Sequence, residues 1–238
     1  MQNTIYITGA DRGLGLALST VFLEADYTVF AGRFMNNWTE LDELKQQYGE
    51  RLHILTLDVT EQQSVDTAAA YIREKNRGQL DILVNNAGLF KDRSEDIFGE
   101  LNYEDMMNLI NTNTFGPLRV SQSVVPLLLK GRAKMLVNIS SEAASLTDCW
   151  RKKEYGYAMS KAALNMQLTI LQNHLSEFGI KVLAIHPGYV KSYMLGVFND
   201  EATISAMESA TNMMKQILKL PTIEEHMFID YLGNKIDW

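Results

Sequence analysis

Thr4-Ile5-Tyr6-Ile7-Thr8-Gly9-Ala10-Asp11-Arg12-Gly13-Leu14-Gly15-Leu16-Ala17-Leu18 stands near the start of the chain and decides how the rest is read. Thr4 to Thr8 is a short, apolar, β-prone run. Glycines follow at once, and from Leu14 to Leu23 the apolar residues take helical spacing. A strand, a glycine turn and a helix N-terminus make an anion site, because free backbone N–H groups and the helix dipole both point outward. Glycine permits positive φ and close backbone approach. A plain tight turn would use the same residues, so the surrounding chain has to decide.

Moving outward, strand-like and helix-like runs alternate to the end. Strand patterns fall at Tyr27–Ala31, Leu52–Leu57, Leu80–Val84, Lys134–Ile139, Ile180–His186 and Met227–Gly233. Helical patterns fall at Trp38–Tyr48, Ser64–Arg73, Tyr103–Ile110, Leu118–Leu129 and Ala158–Phe178. Such alternation predicts an α/β fold, a single-domain, Rossmann-type, doubly wound parallel sheet with helices on both faces. Right-handed crossovers would bring Gly13, Asn86, Ser141 and Pro187 to one edge.

Composition narrows the class. With 238 residues, 46% hydrophobic and 21% charged, the chain suits one globular domain over 1–238. Its net charge of −7 argues against nucleic-acid partners. Cys149 is the single cysteine, which rules out an intrachain disulfide and a cysteine zinc cluster; no metal is expected. No apolar run reaches membrane-span length, and Met1-Gln2-Asn3-Thr4-Ile5 lacks a basic leader, so the expectation is a cytoplasmic protein with no membrane partner.

Tyr157 and Lys161 are four residues apart, hence on one face of a helix, one turn apart. A free phenol has a pKa of about 10, and a neighbouring cation lowers it, which suits acid–base work at neutral pH. An ordinary half-buried Tyr beside a solvated Lys fits the same spacing. Tyr155, six residues from Lys161, is off that face.

The motifs in order carry a resemblance. Thr8 to Gly15 reads T-G-x-x-x-G-x-G rather than G-x-G-x-x-G, Asn85–Gly88 reads N-N-A-G, Ser140-Ser141 follows the fifth strand, Y-x-x-x-K ends at Lys161, and Pro187-Gly188 follows the sixth strand. Over essentially its whole length the chain resembles the short-chain dehydrogenases/reductases. The segment F-I-D-x-x-G from Phe228 and the terminal Trp238 resemble the carbonyl-reductase-like branch, the sniffer and C-factor group.

That resemblance implies NADP(H)-dependent hydride transfer to a ketone or aldehyde. It assigns Tyr157 as general acid/base, Lys161 to the nicotinamide ribose and to lowering the phenol pKa, Ser141 to the substrate oxygen, and Asn113 to a water relay. Asn113 lies where the helical pattern is interrupted, and a simple cap is the alternative there. The implied cofactor contacts are Gly9, Asp11, Arg12, Gly13, Leu14, Gly15, Arg33, Asp58, Val59, Asn86, Ala87, Gly88, Ser140, Tyr157, Lys161, Pro187, Gly188, Val190 and Ser192. Asp58 would hold the adenine amino group; Asp58 or Thr60 as a helix N-cap is the plain alternative.

Gly32 stands where an NAD site places a carboxylate, and Arg33 follows, with Arg12 in the turn. A 2′-phosphate is favoured by these cations, so NADP is preferred to NAD. Region 189–220 is Met-rich and reads either as a substrate cover or as ordinary core. Phe90, Glu142, Trp150, Tyr189 and Met194 are candidates for the pocket wall, and loop 142–154 is longer than the family spacing. The family's equivalent of the long helix commonly packs on another subunit, implying a homo-oligomer. An NAD-linked alcohol dehydrogenase and a dinucleotide-sensing signalling protein on the same fold are the alternatives.

Overall fold

The apolar runs form strands where they alternate with helices, and the pairing is parallel throughout: β1 (Thr4–Ile7), β2 (Thr28–Arg33), β3 (Leu52–Thr56), β4 (Ile82–Asn85), β5 (Met135–Ile139), β6 (Lys181–His186) and β7 (Met227–Asp230). This computed structural model describes residues 2–194, 196–220 and 227–238. The helices are α1 (Gly13–Glu24), α2 (Glu40–Tyr48), α3 (Gln62–Lys75), α4 (Tyr103–Ile110), α5 (Gly116–Leu128), α6 (Tyr155–Leu175) and α7 (Ala206–Lys219). The sheet order is β3-β2-β1-β4-β5-β6-β7. The chain starts in the middle, winds one way to β3, and resumes on the other side of β1 at β4. The doubly wound α/β sheet is therefore present as expected.

Successive side chains of a strand point to opposite faces, and both faces are buried. Ile5, Ile7, Val84 and Val137 meet Leu18 and Phe22 of α1 and Met213 and Ile217 of α7. On the other face Tyr6, Leu83 and Leu136 meet Ile72 of α3, Val120 and Val124 of α5, and Leu164 and Leu168 of α6. This explains why the strands read as continuous apolar runs instead of alternating ones.

The edge remote from the glycine turn is fastened by Asp81, which is 4% exposed. Its Oδ2 accepts from the Thr4 N–H at 2.8 Å and the Thr4 hydroxyl at 3.0 Å, and its Oδ1 from the Arg132 N–H at 2.7 Å.

Several sequence expectations are corrected. Helix α2 begins at Glu40, so Trp38 precedes it; the indole packs on Tyr193 at 4.7 Å and lies under the Arg12 guanidinium at 5.1 Å. Strand β7 stops at Asp230, whose Oδ1 accepts from the N–H groups of Leu232 and Asn234 and turns the chain. Within 189–220, helix α7 buries Met213 against α1 and is core, which leaves the stretch before it as the part free to cover a site. Leu195 lies outside the described residues.

Candidate active site

The C-terminal ends of the parallel strands gather the predicted residues along one edge. At β1, Gly9 and Gly13 have φ of +61° and +54°. A Cβ on Gly9 would stand 2.8 Å from Ala87 Cα, and one on Gly15 would overlap the Gly9 carbonyl oxygen. The turn is thus pressed against Asn86-Ala87, where the Thr8 hydroxyl accepts both N–H groups at 3.0 Å. Asn86 Nδ2 donates to the carbonyls of Thr8 and Gly9 at 2.9 Å. These bonds are what the N-N-A-G motif does structurally: they hold the glycine turn at the switch between β1 and β4.

Helix α1 starts after Arg12 with no side-chain cap and no acid in its first turn. Its first N–H groups have no partner inside the helix, and the cradle they form fits a phosphate. Asp11, Leu14 and Gly15 lie in this turn; Asp11 Oδ1 accepts the Phe34 N–H at 3.3 Å and ties the turn to the exit of β2. Arg33 Nη1 donates to Asp42 at 2.8 Å, a partner the sequence reasoning did not foresee, while its Nε is buried without a partner. Arg12 Nη1 donates to Met35 Sδ at 2.9 Å. Two cations and no carboxylate at Gly32 stand beside the turn, a donor set that suits a 2′-phosphate.

Past β3, Asp58 Oδ1 accepts from the Thr60 N–H and hydroxyl at 2.9 and 2.7 Å. It shapes the turn, but the cap of α3 is Glu61, so the N-cap alternative for Asp58 and Thr60 falls. Val59 is buried, its side chain against Gly116. Past β6 come Pro187, Gly188, Val190 and Ser192; a Cβ on Gly13 would meet only Ser192 Cβ, at 3.6 Å, so this segment runs over the phosphate cradle.

Asn113 sits in a π-helical turn, Asn111–Phe115, between α4 and α5. Pro117, four residues after Asn113, has no N–H to give its carbonyl, and the ladder widens: Gly116 N–H donates to Asn111 O. The sequence carried this signal in Pro117. The Asn113 side chain, 1% exposed, accepts from Leu89 N–H at 2.7 Å and donates to Leu89 O at 2.9 Å and Ser160 Oγ at 3.0 Å. Ser160 Oγ donates in turn to Tyr157 O at 2.7 Å. Ser160, not singled out from the sequence, thereby links Asn113 to the helix of Tyr157 and Lys161.

Tyr157 is buried against Phe90, ring centroids 4.5 Å apart, while Tyr155 lies at the start of α6 with its hydroxyl toward Lys152 O. Lys161 Nζ donates to Ile139 O at 2.8 Å and is 5.9 Å from the Tyr157 ring centroid. Ser141 Oγ accepts from Ala143 N–H at 3.1 Å, and Ser140 Oγ donates to Asn165 Oδ1 at 2.7 Å. Ser141 and Lys161 thus meet at the end of β5, with Tyr157 one helical turn before the lysine.

Burial dominates the electrostatics. It pushes the Tyr157 phenol up to about 12, with the Ser141 hydroxyl pulling the other way. It draws the Lys161 ammonium down to about 8. The expected lowering of the phenol by Lys161 is therefore reversed, because desolvation of the phenolate outweighs a cation committed to the Ile139 carbonyl.

Of the pocket-wall candidates, Phe90 packs on Tyr157, and the Met194 methyl would lie 3.6 Å from a Cβ on Gly88. Trp150 is 72% exposed, and the Tyr189 hydroxyl accepts from Asn199. Glu142 is bound by Arg151, which the sequence reasoning also missed. Among the described residues no His/Cys/Asp/Glu group could hold a metal, and no helix is long and apolar enough to cross a membrane.

A glycine turn at the switch point of a doubly wound sheet is where such folds receive nucleotides, and here a buried phenol, ammonium and serine stand on the same edge. That combination defines the class: a nucleotide-binding α/β oxidoreductase. Residues 3–203 match the family model for short chain dehydrogenase, and the chain belongs to that family. It is 34% identical over 197 residues to mouse estradiol 17-beta-dehydrogenase 2, a match that covers 82% of this chain but only 50% of the mouse protein. Among solved structures it is similar to the carbonyl reductase Sniffer of Drosophila melanogaster, with 28% identity, a TM-score of 0.91 and 100% of both chains covered. It is also similar to the NADPH-bound carbonyl reductase from chicken fatty liver, with 31% identity and a TM-score of 0.88, over 100% of this chain and 94% of that one. The resemblance to the carbonyl-reductase-like branch is borne out.

Proposed function

We propose that this chain is an NADP(H)-dependent reductase that converts a ketone or aldehyde to an alcohol. The observation that carries the proposal is the meeting of Ser141, Tyr157 and Lys161, braced by Asn113 through Ser160, at the sheet edge beside the glycine turn. The NADP-bound and carbonyl-reducing neighbours support the same reading. The turn from Gly9 to Gly15 would hold the pyrophosphate, Arg12 and Arg33 the 2′-phosphate, and Asp58 and Val59 the adenine. Asn86, Ala87, Gly88, Ser140, Pro187, Gly188, Val190 and Ser192 would line the path to the nicotinamide. When bound, the nicotinamide supplies the hydride.

Ser141 Oγ orients the substrate oxygen by hydrogen bonding. Tyr157 donates the proton to that oxygen. Its raised pKa keeps it protonated and able to act as the acid in reduction. Lys161, fixed by Ile139 O, presents its remaining donors to the ribose hydroxyls. The stretch 189–205 serves as the substrate cover of a single domain spanning 1–238.

We further infer a cytoplasmic homo-oligomer. Phe115 at the end of the π turn, Leu118 at the start of α5, and Met159, Met166 and Ile170 on α6 are exposed apolar side chains that support such packing. Sedimentation as a monomer would overturn that part.

The reductase reading is tested by NADPH oxidation with a panel of ketones, aldehydes and quinones. Tyr157→Phe abolishes turnover yet leaves NADPH binding nearly intact; retained turnover sinks the assignment. Tighter binding of NADH than NADPH would refute the roles of Arg12 and Arg33.

A further inference from the structure

The loop between Ser141 and Tyr157 is closed by one side chain. Arg151 Nη1 and Nη2 donate to the two carboxylate oxygens of Glu142 at 2.7 and 2.9 Å, and Nε donates to Glu154 at 3.0 Å. The guanidinium is largely buried, 13% exposed, and is backed by the Trp150 ring at 4.8 Å. Glu142 is the residue after Ser141, and Glu154 is the residue before α6, three before Tyr157. Arg151 thus grips both ends of the loop at once. Glu154 adopts the left-handed region, φ +66°, uncommon for a residue with a Cβ, and an ion pair that holds its side chain helps hold that conformation. A bidentate guanidinium–carboxylate pair is the geometry best suited to fixing direction as well as distance.

We propose that Arg151 is a positioning residue, which staples the two ends of loop 142–154 so that the Ser141 and Tyr157 hydroxyls face the same substrate oxygen, and which neutralises Glu142 and Glu154 beside the phenol. The inference rests on the reductase reading above and goes beyond it, to what holds this longer loop. Two consequences follow, one mechanical and one electrical. Without the staple, Ser141 and the start of α6 lose their common tie and turnover falls. Without the guanidinium charge, two carboxylates are left near Tyr157. Both carboxylates raise the phenol pKa and Arg151 lowers it. Among the described residues, other charged and titratable groups around the phenol are Lys161, 5.9 Å from its ring, Asp92, whose Oδ2 accepts the Gly156 N–H at 2.9 Å, and His186, which senses Glu142, Asp230, Lys161 and Arg151. Lys161 and Asp92 make no bond to Arg151 and keep theirs when it is replaced, whereas His186 loses a cation that lowers its pKa.

The test uses the full chain with NADP+ and an alcohol that the wild type oxidises; a wild type inactive in both directions counts against the reductase reading and not against the staple. In oxidation Tyr157 must act as the base, so kcat/KM rises with pH along a limb set by the phenol. In Arg151→Met this limb moves up by about one pH unit, since two like charges are uncovered, and kcat falls about tenfold while NADPH affinity stays within about twofold. Arg151→Lys keeps the charge and loses the fork: the limb stays in place and kcat is only partly restored. Glu142→Gln removes one carboxylate and moves the limb down, the opposite sign, and serves alone if Arg151→Met does not fold. A merely structural role for Arg151 would lower the plateau of the profile without moving its limb. An unmoved limb in Arg151→Met, an equal upward shift in Arg151→Lys, or an upward shift in Glu142→Gln overturns the proposal.

Discussion

Lys161→Met isolates what a buried ammonium costs this fold. Burial takes the Lys161 pKa from its ordinary 10.5 down to about 8. Each unit is worth about 1.4 kcal/mol, so the charged form in the folded protein carries a penalty of about 3 kcal/mol relative to the unfolded chain. The sign follows from proton counts. Between about pH 8 and 10.5 the unfolded chain holds a proton on this amine that the folded protein does not, so stability rises with pH across that window. The penalty is absent above the window and complete below it. Methionine has nearly the same length and no charge, but it leaves the Ile139 carbonyl without its donor, at a cost of about 1–3 kcal/mol. At pH 7 the two effects largely offset each other, so the informative quantity is the pH dependence of the difference. Urea unfolding of both proteins at pH 7.5 and pH 10.5 should show the wild type gaining about 3 kcal/mol relative to Lys161→Met as pH rises. Other groups titrate in both proteins and cancel. A difference that stays constant with pH would refute the desolvation argument, and with it the view that Lys161 is held charged at neutral pH against a real cost.

Three further outcomes follow from the site's geometry. Gly15→Ala puts a methyl into the Gly9 carbonyl oxygen and close to Asn86 Nδ2, so it should destabilise the fold by about 3 kcal/mol in thermal or urea melts and abolish NADPH binding by calorimetry. Asn113→Ala strips the partners of both Leu89 backbone groups and of Ser160, costing about 1–3 kcal/mol of stability. Steady-state kinetics should then show kcat falling more than NADPH affinity. Arg33→Ala removes one of the two cations beside Gly32 and frees Asp42, so NADPH affinity by fluorescence titration should fall about tenfold or more while NADH affinity changes little.

Sequence legibility divided along the range of the forces involved. Strands buried on both faces announce themselves as uninterrupted apolar runs, and Ile5 to Ile7 or Ile82 to Val84 could hardly be anything else between helices. The Tyr157–Lys161 relation is a matter of helical pitch and needed no tertiary knowledge. Trp38 has helical spacing in the sequence, whereas its environment is set by Arg12 and Tyr193, far away in the chain. Asp42 and Arg151 carry no signal of their own in the sequence, since nothing local says that Arg33 or Glu142 is within reach. The phenol pKa departs from its expectation for the same reason. The lysine four residues on is visible in a sequence, but the surrounding desolvation is not.

The π turn at Asn111–Phe115 sets a phase. One residue of helix is a rotation of about 100°, and the widened turn lets α4 present Met106 and Leu109 toward the start of α6 while α5 presents Val120 and Val124 to the sheet. Deleting a single residue from this turn would restore ordinary helical winding, although Pro117 would still leave one carbonyl without an N–H. It would also swing α4 about a third of a revolution and carry Asn113 away from Leu89 and Ser160. The helix from Tyr103 to Leu128 is thus two gears on one shaft, and the irregular turn is the coupling that keeps them out of step.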